Sequence, residues 1–151
     1  MKKICLVFLT LLMAGCSSTN SSKITYEMSP KGIPDDQTAI IYFLRQKVNP
    51  SLGNPNILIN DKKVGVLPNN SFFWVKTLPG NKIISTEWSW DTGSDNDTTQ
   101  VDIKAGEIYY LLLKQTGQVI VYPVYNSIFS SKLFLIDKNE AEEFFGNLKY
   151  F

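Results

Sequence analysis

A few side chains in this 151-residue sequence have chemistry beyond packing: Cys16, Arg45, Trp88, Trp90, Asp95 and Asp97. Cys16 is a thiol behind two small residues, Ala14 and Gly15. Arg45 is the only arginine of the chain, and its forked guanidinium suits two-point recognition of a carboxylate or phosphate. The bland counterpart is a structural salt bridge or a strand-end hydrogen bond. Trp88 and Trp90 stand two apart, so an extended chain points both to one side. Flat rings there, together with Phe72, Phe73, Trp74, Tyr109 and Tyr110, offer stacking area to sugars or apolar ligands, although ordinary core and edge packing is the commoner use of such rings. Residues 91–97 carry oxygen ligands at alternate positions, Asp95 and Asp97. They lack the glycine and distal glutamate of a calcium-binding helix-loop-helix, which favours a solvated hairpin tip and no metal site. No histidine occurs anywhere, which removes Ser-His-Asp and Cys-His catalysis and the commonest zinc ligand. No catalytic residue and no cofactor site is assigned, and any enzyme would have to work with Asp and Glu alone.

Position decides what Cys16 can do. Lys2 and Lys3 precede residues 4–13, which are apolar except for Thr10. That run is about half of the roughly 20 residues a helix needs to cross a bilayer, so it reads as an export signal. Leu12-Met13-Ala14-Gly15-Cys16 resembles the lipobox of bacterial lipoproteins. The resemblance implies a signal peptide at 1–15, diacylglycerol on the Cys16 thiol, cleavage before it and acylation, palmitate included, of the new amino group. Ser17, in place of aspartate, implies onward transfer to the outer membrane of a Gram-negative cell, with the domain facing the periplasm. Each buried methylene contributes about 0.8 kcal/mol, so two or three chains hold where one is marginal. With Cys5 in the leader and Cys16 committed to lipid, no disulfide is left and stability must come from packing. Loss of Lys2 and Lys3 takes the 15 cationic residues to 13 against 14 acidic, a net charge of −1, and leaves no basic field for nucleic acid.

The remaining chain must be positioned by strands. Residues 16–37, rich in serine and interrupted by Pro30, Gly32 and Pro34, read as lipidated terminus and tether, with Ile24, Tyr26 and Met28 as a short edge strand at most. Residues 38–151 read as one β-rich domain. Residues 39–45 and 108–114 are apolar on both faces, as central strands are. Residues 56–59 and 64–67 flank a turn at 60–63, residues 71–76 follow, and Pro79-Gly80 turns the chain into 82–90, where Ile84, Thr86, Trp88 and Trp90 share a face. Residues 98–103 alternate, Thr116-Gly117 is expected to reverse the chain into 119–124, and 132–136 form a last strand. Asp137 with Glu140 starts a helix whose Ala141, Phe144, Phe145 and Leu148 share one stripe. The expected fold is mainly β: a small antiparallel sandwich or open barrel of about eight strands with one short C-terminal amphipathic helix.

In order of features the chain resembles a family of bacterial envelope lipoproteins carrying a domain of unknown function. The resemblance is carried by Ile41-Tyr42-Phe43-Leu44-Arg45, residues 57–67, Ser71-Phe72-Phe73-Trp74-Val75, residues 78–82 and residues 103–110, the last including Ala105-Gly106-Glu107 before Tyr109-Tyr110. It implies a β-sandwich exported on a lipid anchor and implies no reaction. The expectation is a non-enzymatic module binding an envelope protein or peptidoglycan. The alternatives are a glycan- or small-ligand-binding face at Trp88 and Trp90, or a carboxylate hydrolase with two acids about 5 to 10 Å apart.

Overall fold

The computed structural model describes residues 29–49, 51, 53–89, 96–120 and 126–151, with backbone only at 117–120 and 126–128. The chain forms β1 (Ala39–Arg45), β2 (Asn56–Ile59), β3 (Lys62–Val66), β4 (Ser71–Thr77), β5 (Gly80–Glu87), β6 (Thr98–Ile103), β7 (Ile108–Ile120), β8 (Asn126–Ile136), α1 (Lys138–Phe145) and β9 (Lys149–Tyr150). Two sheets result, ordered β8-β7-β1-β4-β9 and β3-β2-β5-β6, stacked as a sandwich and not closed into a barrel. Every residue of β1 is buried because it is central in its sheet and covered on both faces. Ala39, Ile41 and Phe43 enter the core between the sheets with Ile57, Ile84 and Leu111. Ile40, Tyr42 and Leu44 face outward, where α1 covers them with Ala141 and Phe145.

The antiparallel expectation is corrected at two places. β1 pairs parallel with β7, and β4 pairs parallel with β9. The cause is the route of the chain, which leaves the first sheet after β1 for β2 and β3, comes back for β4, leaves again for β5 and β6, and re-enters the first sheet at β7 running the same way as β1. The expected reversal at Thr116-Gly117 is also overturned. β7 continues to Ile120 because β8 pairs with it along its whole upper half, with Thr116 opposite Ser130 and Gly117 opposite Phe129. Residues 121–124, the remainder of that expected strand, lie outside the described residues, as do Ile24, Tyr26 and Met28. The turn expected at 60–63 shortens to Asn60 and Asp61, both with positive φ, 49° and 62°. That geometry suits the tight connection that matches strand twist. Lys62 and Lys63 therefore belong to β3. Gly65 on β3 faces the other sheet so closely that a Cβ there would lie 2.7 Å from the Phe73 ring.

The helix forms as the sequence indicates: Asp137 caps it, accepting the Glu140 N–H at 2.9 Å. The last residues assigned to the tether are packed against the domain. Trp74 Nε1 donates to the Pro30 carbonyl at 2.9 Å, and the Gly32 N–H donates to the Tyr42 hydroxyl at 2.9 Å. Asp35 fastens the lower end, accepting from Thr38 Oγ1 at 2.7 Å and the Gln37 N–H at 3.0 Å, and pairing with Lys76 at 3.2 Å. These donors, Thr38 foremost, lower its pKa from 3.8 to about 2. A carboxyl whose folded pKa is depressed gives stability above its unfolded pKa and loses it as pH falls through the folded one. Lowering the pH from 4 to 2 is thus expected to shift the Trp74 indole N–H resonance as the segment loosens. Asp35→Asn should produce that shift already at neutral pH, and a signal indifferent to both would refute the fastening role.

Candidate functional site

The sandwich has two unlike poles. At the end of β1, Arg45 is fully buried and faces inward, continuing the row of Ala39, Ile41 and Phe43. Its Nη1 donates to the carbonyls of Gly53 at 2.8 Å and Leu67 at 3.0 Å, and its Nη2 donates to Gln115 Oε1 at 3.0 Å. Its Nε is buried without an acceptor. The guanidinium carbon lies 5.1 Å from the centre of the Trp88 ring, a cation-π contact. Burial pulls the Arg45 pKa down from 12.5 to about 10, so the side chain stays charged at neutral pH. Arg45 plugs this pole: it ties the central strand of one sheet to the loops entering and leaving the other, and its donors face inward.

Trp88 is 6% exposed and belongs to the same core. Its Nε1 donates to Ser131 Oγ at 2.9 Å, and its ring lies under Arg45. A stacking platform needs an open ring face, so Trp88 offers none; Trp90 and Cys16 lie outside the described residues. β5 ends at Glu87 where the expected strand ran on to Trp90, and the Trp88 N–H donates to Asn96 Oδ1 at 2.9 Å. Asp97, one of the two acids weighed for calcium, accepts the Leu133 N–H at 2.7 Å and takes part in joining the sheets. Asp95 lies outside the described residues, and among those described no three His, Cys, Asp or Glu side chains converge as a metal site.

The opposite pole is open. A cleft of about 330 Å³ lies between the sheets, floored by Ile59, Val64 and Val75 and rimmed by Lys62, Lys76, Lys82, Asn60 and Thr77. The register explains why the exposed Lys62 and the half-buried Lys82 border the cleft. Lys62 pairs with Ile59, and Lys82 pairs with Val101, while Ile59 and Val101 are core residues. Paired residues share a face. Lys62 and Lys82 thus occupy positions on the core-facing side, at the level where the core gives out. Val64 shares the face of Lys62 by its parity along β3, and a register shift in the β2–β3 ladder brings Gly65 opposite Ile57 where Lys63 opposes Leu58. A smaller cleft, about 250 Å³, lies beside the end of α1, lined by Gln46, Lys47, Asn70, Phe144, Asn147 and Leu148. Neither cleft is lined by a carboxyl group.

Sequence reasoning selected Arg45 and Trp88, which meet at the plugged pole, and passed over Lys62 and Lys82. One signal was present: Lys82 has the same parity as Ile84, Thr86 and Trp88, a cation on the apolar face of a strand. Lys62 was hidden by its assignment to the turn. Among known proteins, the family described as protein of unknown function (DUF2846) matches residues 35–123. That span takes in β1 through β7 and both poles of the sandwich. No curated protein matches the chain.

Proposed function

The chain belongs to the DUF2846 family of proteins of unknown function, and from that premise we propose that it is a lipid-anchored, non-catalytic binding module of the bacterial cell envelope. The observation that carries this reading is the order of residues 2–16: two lysines, a short apolar run, two small residues and Cys16. The anchor is a thioether-linked diacylglycerol with an N-terminal acyl chain, in the outer membrane on the strength of Ser17. The domain faces the periplasm and meets an envelope protein or peptidoglycan there. Support for binding over catalysis comes from residues 17–151, which hold neither histidine nor cysteine. Ser29 lies 13 positions beyond Cys16, so the tether spans at most about 45 Å and the domain works close to the bilayer.

Intact and peptide mass spectrometry of the membrane-purified protein tests the anchor. The expected N-terminus is Cys16 bearing diacylglycerol and an amide-linked acyl chain, and Cys16→Ser should move the protein out of the membrane fraction. An unacylated N-terminus, or a Cys16→Ser variant held equally on membranes, would overturn the reading. Cross-linking in intact cells should recover one reproducible partner, whereas recovery of abundant neighbours alone would count against a dedicated interaction.

A further inference from the structure

We infer that the cleft between the sheets binds an anionic head on an aliphatic body, with the carboxylate or phosphate held by Lys62 and Lys82. This deepens the binding-module reading and rests on it. The ion pairs among the described residues are Lys76–Asp35, Lys114–Glu140 and Lys138–Glu142, so Lys62 and Lys82 have no acidic partner there. Inward charges often blunt an exposed sheet edge and prevent pairing with other chains. That explains Lys62, since β3 is an edge strand. It does not explain Lys82, since β5 lies inside its sheet between β2 and β6. Lys82 is half-buried at the cleft, and a cation on the core side of an interior strand covers apolar surface with its stem while holding its ammonium where an anion can meet it. The floor of Ile59, Val64 and Val75 gives the rest of such a ligand an apolar seat, and about 330 Å³ suits a short chain and not an extended polymer. Two ammonium groups above an aliphatic floor match a fatty acid or the head of an anionic lipid, and they disfavour a neutral sugar.

The test uses the full membrane-bound protein and a photoreactive octanoate carrying a diazirine on its chain, followed by digestion and mass spectrometry. Labelling is expected on the peptides holding Ile59, Val64 and Val75. It should fall about tenfold in Lys62→Gln/Lys82→Gln and with the matching diazirine octanol, since both lose the charge-assisted contacts. Competition by octanoate but not by phosphatidylglycerol vesicles identifies a free amphiphile, and competition by both identifies a membrane-borne one. Equal labelling by acid and alcohol, undiminished labelling of the double variant, or labels placed elsewhere would overturn the proposal. Urea midpoints for the double variant should match the parent protein, which separates lost binding from lost folding. The mass of the Cys16 peptide in the same digest reports the anchor independently, so the two readings fail separately.

Discussion

Replacing Arg45 with alanine is expected to lower the unfolding free energy by about 3–5 kcal/mol, because it opens a cavity and removes three hydrogen bonds made by a buried guanidinium. The Leu67 carbonyl lies in a buried contact with Nη1, and the Gly53 carbonyl and the Gln115 amide oxygen each lose one donor with it. Domains of this size are stable by about 5–15 kcal/mol, so Arg45→Ala brings the fold near its limit. Arg45→Met separates the causes: it keeps volume against Trp88 and removes the desolvated charge, yet still removes the three hydrogen bonds, for an expected loss of about 1–3 kcal/mol. Urea denaturation of the three proteins measures this, with unchanged slopes indicating an unaltered denatured state. A ligand-binding arginine would behave oppositely, its alanine variant remaining stable while binding falls. An Arg45→Ala protein as stable as the parent would therefore refute the plug.

The second large loss is expected at Phe145. Its ring stands edge-on to Tyr42, Phe72 and Tyr110 at centroid distances of 5.6, 5.1 and 6.1 Å, and it is 2% exposed. Phe145→Ala removes this contact from the outer face of the five-stranded sheet at an expected cost of about 3–5 kcal/mol. An eight-residue helix is too short to persist alone in water, so α1 should fray once undocked. Amide exchange across Lys138–Phe145 is expected to rise more than exchange in β2 or β5, which belong to the other sheet. Uniform loss of protection in both sheets would show that α1 is integral to the fold and not a layer added to it.

Legibility of the fold followed burial. β1 and the lower half of β7 were readable because they are covered on both faces, which forces uninterrupted apolar runs. α1 was readable because its cap, stripe and acidic first turn all agree locally. Thr116-Gly117 misled because a turn-forming pair also fits the interior of a long ladder when a partner strand is present, and that partner is distant in sequence. β9 was missed because two residues carry no period, and only Ser71 and Phe72 across the ladder define it.

The candidate site divides in the same way. By itself the sequence determines the order of residues 2–16 on which the proposed anchor rests, the lack of histidine, the alternation that builds the strands and the parity that puts Lys82 among core positions. These depend on residue types and spacings along the chain. Tertiary structure decides that Arg45 and Trp88 are spent on closing one end of the sandwich, and that Lys62 and Lys82 meet over an apolar floor at the other. Both outcomes depend on how the two sheets are stacked, which brings Leu67, Trp88 and Gln115 to Arg45 across 22 to 70 residues of chain. No local propensity encodes that juxtaposition, because it exists only once the core between the sheets has closed.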